Sequence, residues 1–196
     1  MDNERLKKQI DFILEIDKEK NILRQTHITD YVRCENDAEH AWHMAVMVWL
    51  LKEYANRDFD VAKAMMMALI HDVVEIDAGD AYAYDEKALE HQKEREDAAA
   101  KRIFALLPQE QGEELKALFY EFEENKTPEA QFVHAMDNFQ PLLLNDSNNG
   151  GDWRSHGVCY NQVYNRQKGS KKGSEFIWQE SQKIVEQNVK KGNIKP

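Results

Sequence analysis

The segment from Ala38 to Tyr54 is apolar on nearly every side of a helix, and no other feature constrains the fold as strongly. It predicts a buried central helix, because a helix that is apolar all round needs protein on every side. Asp37 directly precedes it and is expected to cap it, since a short carboxylate accepts from free backbone N–H groups. No stretch has the strict alternation of a strand of useful length. The sequence therefore predicts an all-α protein.

Further helices are expected wherever apolar residues recur at helical spacing. They are predicted over 3–18, Asp60–Val74, Asp85–Leu107, Gln109–Glu124, Pro128–Leu144, Val158–Gln167 and Ser174–Lys191. Loops are expected over Asn145–Asp152, which is rich in Asn and Gly, and over the basic segment Lys168–Gly173. With 196 residues and no internal repeat, the chain is expected to form one domain.

Charge and cysteine content exclude several classes of partner. The chain has 36 acidic and 26 basic residues, a formal charge of −10, which disfavours long nucleic acid and anionic membrane surfaces. Cys34 and Cys159 are too few for a disulfide framework or a thiolate metal site. The start lacks a signal peptide, and no apolar run reaches the roughly 18 residues of a membrane span. We therefore expect a cytoplasmic location.

Ionisable residues inside apolar helices are the best indication of chemistry. The pair His71-Asp72 follows an apolar block, Asp137 lies in another, and His40 opens the most apolar helix. Burying an unpaired carboxylate costs several kcal/mol, which pairing or a metal ion relieves. Two imidazoles and two carboxylates suit one divalent ion of Mn, Fe, Co, Ni or Zn and, less well, Mg. Four protein ligands would leave positions for water and substrate.

These residues resemble the signature of the HD superfamily of metal-dependent phosphohydrolases. The segments that carry the likeness are Ala38-Glu39-His40-Ala41-Trp42-His43 and His71-Asp72-Val73-Val74-Glu75, the latter followed by Gly79-Asp80. Both are similar to segments of the bacterial 5′-deoxynucleotidases. The resemblance implies a helical bundle of about seven or more helices. Its HD core would cover about residues 20–145, with a C-terminal helical extension over about 153–191.

The resemblance also implies roles for individual residues. One divalent ion would be held by His40, His71, Asp72 and Asp137. Glu75 would be the general base for the attacking water, and Asp80 would help to protonate the leaving oxygen. Arg24 falls where the family has a phosphate-binding arginine. A small phosphorylated substrate, of the nucleotide type, and a homodimer are implied as well.

One departure from the family concerns the sugar pocket. The deoxynucleotidases have Trp after the arginine, whereas Gln25 stands here, which leaves a preference for 2′-deoxynucleotides open. Two other functions remain as alternatives. A dinuclear HD enzyme would need extra histidine ligands, for which His91 and His134 are the candidates. A non-catalytic, metal-stabilised nucleotide sensor would need neither Glu75 nor Asp80.

Several other residues have simpler interpretations. His43 is expected to support His40 or to fill the core, and His91 and His134 are expected at the surface. Arg33 pairs with an acid or a phosphate. Asp146 is an alternative ligand, although its loop lacks the apolar setting of Asp137. The remaining expectations are core or dimer packing for Trp42 and Trp49, and a solvated loop, rather than substrate steering, for residues 168–172.

Overall fold

The computed structural model describes residues 3–80 and 91–196, most of which are helical, so the expected all-α class is confirmed. The helices are α1 (Asn3–Ile16), α2 (Asp37–Leu51), α3 (Val61–Ile70), α4 (Glu75–Ala78), α5 (Gln92–Phe104), α6 (Gln109–Glu124), α7 (Pro128–Ser147), α8 (Gly151–His156), α9 (Tyr160–Gln167) and α10 (Glu175–Lys190). Short 3₁₀ helices cover Asp17–Asn21, Lys52–Tyr54 and Lys168–Lys172. Residues 85–90 of the helix expected over Asp85–Leu107 lie outside the described residues.

A small antiparallel hairpin lies between α1 and α2, where no strand was expected. It joins β1 (Leu23–His27) to β2 (Cys34–Asn36), with Leu23 opposite Asn36. Its residues are mostly polar, so the apolar alternation that identifies a strand in a sequence is missing. The hairpin holds Arg24 beside the start of α2.

Asn36, and not Asp37, caps α2. The Asn36 side chain accepts from the backbone N–H of Glu39 at 2.9 Å, and the Glu39 carboxylate accepts from the backbone N–H of Asn36 at 3.1 Å. This capping box satisfies two backbone donors, so the prediction for Asp37 was wrong by one residue. Asp37 is instead the first residue of α2, and its side chain is fully buried.

Only one face of α2 is buried, which corrects the expectation of a helix enclosed on all sides. Met44, Met47 and Val48 lie in the core. The exposed apolar side chains of the helix are Trp42 (63% exposed), Val46 (37%), Trp49 (54%) and Leu50 (62%). Apolar composition shows that a surface needs covering, but it does not show whether the same chain covers it.

The helix expected over Asp60–Val74 is interrupted at the His-Asp pair. Helix α3 ends at Ile70, a turn follows, and α4 begins at Glu75. Glu75 therefore does not share a helical face with His71, although one continuous helix would place two residues four positions apart on the same face. The turn itself brings Glu75 close to Asp72.

Both loops expected in the C-terminal part are largely helical. Helix α7 continues to Ser147, and α8 begins at Gly151. The three lysines of the basic segment are exposed, as a solvated loop requires, but the segment forms a 3₁₀ helix and Ser170 is fully buried. Pro128 lies in the first turn of α7, as expected, after the cap Thr127.

Helices α2, α3 and α7 pack against one another around the larger of two apolar clusters. A second cluster joins the end of α3 to α1, α5 and α6. The expected ligands thus lie on α2, on α7 and in the turn that directly follows α3. In the parts of the chain that the structure describes, no helix has the length and apolar character needed to cross a bilayer.

Candidate metal centre

Three of the expected ligands, from α2 and the turn after α3, converge inside the protein. One donor atom from each of His40, His71 and Asp72 lies within 4.8 Å of the other two. Nε2 of His71 is 3.1 Å from Oδ1 of Asp72, and Nε2 of His40 is 4.0 Å from Oδ2 of Asp72. Both imidazoles are buried. We refer to these three residues as the HD cluster.

A backbone carbonyl orients the His71 ring. Nδ1 of His71 lies 2.8 Å from the carbonyl oxygen of Ala68. A carbonyl only accepts, so Nδ1 carries the hydrogen and the lone pair of the neutral ring is on Nε2. Nε2 is buried, and its contact with Oδ1 of Asp72 at 3.1 Å lacks the direction of a hydrogen bond, so it has no hydrogen-bond partner among the described residues. The ring is thus oriented as a metal-binding histidine is, with its other nitrogen donating to a fixed acceptor.

Gln140 on α7 orients the His40 ring in a similar way. Its Nε2 donates to Oε2 of Glu35 at 2.8 Å, so its Oε1 is the atom that faces Nδ1 of His40, at 3.1 Å. Nδ1 of His40 therefore carries a hydrogen, and Nε2 turns toward the HD cluster. The same amide nitrogen lies 3.2 Å from Nδ1 of His43, which places His43 behind His40. Gln140 was missed, although an amide among the apolar residues of α7 was a readable signal.

We predict that Gln140→Met lowers the affinity for Mn²⁺ by about 10- to 100-fold, the usual cost of removing a group that orients a metal ligand. Methionine keeps the length of the side chain but removes the amide acceptor, so that Nδ1 of His40 keeps only the more distant Oε1 of Glu35, at 3.5 Å. Titration calorimetry measures the affinity, and thermal unfolding checks that the variant is folded. Gln131→Met, on the same helix but bonded to Asn125, is the matched control. Unchanged affinity in folded Gln140→Met would exclude this role.

Asp137 on α7 lies at the edge of the HD cluster. Its Oδ1 is 3.2 Å from Nε2 of His40, and its Oδ2 accepts from Nη2 of Arg166 at 3.2 Å. Burial opposes its ionisation, but Arg166 and His40 outweigh this effect and hold the pKa of Asp137 well below its usual range. Asp137 is therefore a carboxylate beside the cluster. Asp146, the alternative ligand, instead accepts from Asn188.

Strand β1 brings Arg24 against three carboxylates. Its Nη1 is 2.7 Å from Oδ2 of Asp72 and 3.4 Å from Oδ1 of Asp37, and its Nε is 3.7 Å from Oε1 of Glu35. The side chain is only 12% exposed. Charges of opposite sign this close compensate one another. Arg24 therefore lowers the free-energy cost of holding these three carboxylates close together.

Asp37 and Glu75 form a second acidic group with Asp72, with donor atoms within 4.8 Å of one another. Burial, reinforced by the charges of Asp72 and Asp37, raises the pKa of Glu75 to about 12. Glu75 is therefore protonated in the absence of a cation and donates to Asp37, with which it shares a hydrogen bond. Asp37 was not expected in this group because its position in the sequence suited a helix cap.

Asp80 faces the same cavity from the end of the segment that follows α4. The preceding residue, Gly79, has a φ of 77°, which glycine adopts without steric cost and other residues rarely do. Burial raises the pKa of Asp80, although Arg24 partly opposes the change. The carboxyl group is thus shifted toward its protonated form.

The HD cluster opens into a cavity of about 310 Å³, which lies in the size range of small-molecule sites. Its walls include all the expected site residues except His40, which lies behind the wall, and they add others from the C-terminal helices. Among the residues that line it are Arg24, Gln25, His71, Asp72, Glu75, Asp80, Asp137, Trp153 and Arg166. Arg166 was missed because it lies in a short polar helix with no distinctive pattern.

The protonation of His71 gives a pH-dependent prediction. Burial disfavours the charged ring, but Asp72 outweighs burial and raises the pKa of His71 to about 9. Below pH 9 the metal-free ring is therefore protonated, whereas a bound metal needs its lone pair. We expect Mn²⁺ binding at pH 7 to release protons and to strengthen as pH rises toward 9. Calorimetry in buffers of different ionisation enthalpy measures the release, and an affinity independent of pH would contradict it.

The remaining candidate histidines do not join the HD cluster. His91 is exposed and lies 3.1 Å from Glu94. Nε2 of His134 donates to the carbonyl oxygen of Phe122 at 2.9 Å, and its ring stacks on Phe122 with centroids 3.9 Å apart. His134 is partly buried, so its expected surface position was wrong. Neither histidine supports a second metal.

Arg33 makes a plain ion pair, which decides between its two interpretations. Its Nη1 and Nη2 lie 2.8 Å and 2.7 Å from the two carboxylate oxygens of Glu39. The pair is exposed, so its contribution to stability is small.

The donor set fits a divalent metal ion. Two imidazole nitrogens turn toward a carboxylate, a fourth donor stands beside them in Asp137, and the buried Nε2 of His71 lacks a hydrogen-bond partner among the described residues. Such mixed nitrogen and oxygen sets bind first-row divalent ions, and the geometry does not select one of them.

Comparison with solved structures identifies a close relative. A crystal structure of a predicted metal-dependent phosphohydrolase from Magnetospirillum magnetotacticum MS-1 is 44% identical to this chain, with a TM-score of 0.94. The match covers 98% of this chain and 96% of that one.

Curated relatives match over shorter stretches. The human protein named 5′-deoxynucleotidase HDDC2 is 34% identical over 112 residues, which are 57% of this chain and 53% of that protein. The protein named 5′-deoxynucleotidase hdd1 of Schizosaccharomyces pombe is 25% identical over 162 residues, or 81% of this chain and 72% of that one. The match thus spans about half the length of the human relative.

A family model described as HD domain matches residues 16–178, which is well over half of the chain. The match contains the HD cluster, Glu75, Asp80, Asp137 and Arg166. The chain therefore belongs to the HD domain family.

Proposed function

We propose that the protein is a metal-dependent phosphohydrolase that removes phosphate from a nucleoside 5′-monophosphate or a similar small phosphate ester. The observation that carries the proposal is the HD cluster, in which Nε2 of His71 and Nε2 of His40 turn toward Asp72 beside a small cavity. The relatives named 5′-deoxynucleotidase support the nucleotide class.

His40, His71, Asp72 and Asp137 would hold one divalent ion. When bound, the ion would polarise the phosphoryl group and lower the pKa of its water. Arg24 would offset phosphate charge while it keeps its contact with Asp72. The small cavity would limit the substrate to one phosphorylated small molecule.

Glu75 and Asp80 would move the protons. Burial, and after it repulsion from Asp72 and Asp37, keeps Glu75 protonated in the absence of a cation. A divalent ion bound at the HD cluster would favour the charged form of this neighbouring acid, and the resulting carboxylate could take a proton from water. Asp80 is shifted toward its protonated form and so suits the donation of a proton to the leaving oxygen.

The test is phosphate release from a panel of ribo- and 2′-deoxynucleoside 5′-monophosphates, each with Mn²⁺, Co²⁺, Fe²⁺, Ni²⁺, Zn²⁺ and Mg²⁺. We expect release from at least one monophosphate and none after chelation. Comparison of each ribo and deoxy pair determines the effect of Gln25. If every monophosphate is inert with every metal, this substrate class is wrong.

Metal content separates this proposal from the two alternatives. We expect one ion per chain, whereas a dinuclear enzyme would hold two. A nucleotide sensor would bind the nucleotide and gain thermal stability without releasing phosphate. Glu75 and Asp80 support catalysis, because a sensor has no need of two acids with raised pKa values beside the ion.

We further propose that the protein is a homodimer and that the exposed face of α2 is its interface. Trp42, Val46, Trp49 and Leu50 lie on this face, and Trp49 is held by Lys52, whose Nζ is 3.8 Å from the ring centroid. Four large apolar residues at helical spacing form a stripe that a second copy of the same helix can cover.

Sedimentation equilibrium should give twice the chain mass of 23.0 kDa, and Leu50→Glu should shift it toward the monomer. The reason is that a charge in an apolar interface must be buried without a partner. Lys183→Glu, an exposed charge change on α10, is the control. A monomeric wild type would exclude the dimer.

We also propose that the protein is cytoplasmic and forms a single HD-type unit. Cys34 and Cys159 are both free thiols, which supports a reducing compartment such as the cytoplasm. We propose that residues 1–196 act as one HD-type unit, with the C-terminal helices completing the cavity through Trp153 and Arg166.

A further inference from the structure

A second guanidinium reaches the cavity from the C-terminal helices. Arg166 on α9 lines the same cavity as Arg24, although 142 positions separate the two in the sequence. Its side chain is 35% exposed, compared with 12% for Arg24. Within residues 3–80 and 91–196, its hydrogen-bond partner is Asp137, through Nη2 alone. A guanidinium has five N–H donors, so most of those of Arg166 are available to a ligand.

The two arginines differ in how much of their charge is already compensated. Arg24 lies between 2.7 and 3.7 Å from Asp72, Asp37 and Glu35, and three carboxylates outweigh one guanidinium. Arg166 faces one carboxylate at 3.2 Å. A phosphate ester entering this acidic cavity therefore gains more from Arg166 than from Arg24.

The position of Arg166 is fixed by the helix that carries it. The next residue, Gln167, is buried and donates from Nε2 to the backbone carbonyl of Asn138 at 2.7 Å. Asn138 directly follows Asp137 on α7. Helix α9 is thereby fastened to α7 beside the HD cluster, so that Arg166 is held on Asp137 as Arg24 is held on Asp72.

We propose that Arg166 is a phosphate-binding residue of this site and supplies the principal guanidinium contact to the substrate phosphate. The inference rests on the proposed phosphohydrolase function. The alternative is that Arg166 only orients Asp137 and affects phosphate through the metal.

The test measures binding of inorganic phosphate to the Mn²⁺-loaded protein by calorimetry, with Mn²⁺ affinity measured separately. We expect Arg166→Gln to weaken phosphate binding by about 10-fold or more, which is typical of a lost charge-assisted hydrogen bond. Arg166→Lys keeps the charge but loses the planar, forked set of donors. Its phosphate affinity should therefore lie between those of the wild type and Arg166→Gln. Arg154→Gln, an exposed residue of α8 outside the cavity wall, is the control and should bind phosphate as the wild type does.

Three outcomes would overturn the proposal. The first is phosphate binding by Arg166→Gln within about twofold of the wild type, and the second is no phosphate binding by the wild type itself. The third is a loss of phosphate binding that disappears when both proteins are saturated with Mn²⁺, which means that Arg166 only orients Asp137. A wild type that binds phosphate through Arg166 but hydrolyses no monophosphate would refute the proposed function and leave this inference intact.

Discussion

His71→Ala is expected to abolish phosphate release from nucleoside 5′-monophosphates, with a loss of at least about 1000-fold in kcat/KM. His71 offers a buried Nε2 without a hydrogen-bond partner among the described residues, held toward Asp72 by the bond from Nδ1 to Ala68. Alanine removes this donor and also leaves Asp72 without its nearest imidazole. The measurements are phosphate release with saturating Mn²⁺ and the Mn²⁺ content of the purified variant.

The matched control is His91→Ala, which removes an exposed imidazole that lies outside the cavity wall. It should keep wild-type activity and metal content. Circular dichroism of both variants separates the loss of the donor from a loss of folding. If folded His71→Ala keeps more than a tenth of the activity, the HD cluster is not the catalytic centre.

Glu75→Gln should lower kcat by about 100- to 10,000-fold, the usual contribution of a general base, while Mn²⁺ still binds. The amide has nearly the shape of the protonated acid and can donate to Asp37 as the acid does, so the fold has little reason to change. It cannot take a proton from water. Steady-state kinetics at saturating Mn²⁺, together with calorimetric Mn²⁺ affinity, distinguish this loss from a loss of metal.

Asp77→Asn provides the comparison on the same short helix. Asp77 is two residues beyond Glu75 and pairs at the surface with Arg102, at 2.8 Å through Nη2. Its variant should retain kcat within about twofold. A Glu75→Gln variant with equally unchanged kcat would remove Glu75 from the proposed mechanism.

The sequence was sufficient to predict the all-α class because apolar residues recur at helical spacing along most of the chain. It also indicated that His40, His71 and Asp72 meet, since ionisable groups in apolar helices need partners. The residues at which helices begin and end were harder to predict from the sequence. Asn and Asp side chains cap helices by the same chemistry, so the sequence does not show which of Asn36 and Asp37 is the cap. In the structure Asn36 caps α2, and Asp37 is buried beside Glu75.

Residues that depend on distant contacts could not be predicted from local pattern. Arg166 belongs to the cavity because Gln167 fastens α9 to α7, and no spacing rule relates these residues to Asp137. The exposed face of α2 has the same explanation. Trp42 and Trp49 are as apolar as the buried Met44, and a pattern that is apolar on all sides cannot show which side the chain itself covers.

Crystals grown with Mn²⁺ and measured at an energy where manganese scatters anomalously would locate the ion directly. We expect one anomalous peak per chain, in contact with Nε2 of His40, Nε2 of His71 and the carboxylates of Asp72 and Asp137. A peak bound by Asp37 and Glu75 instead, two peaks in the cavity, or none at Mn²⁺ concentrations that support activity would contradict a mononuclear centre at the HD cluster.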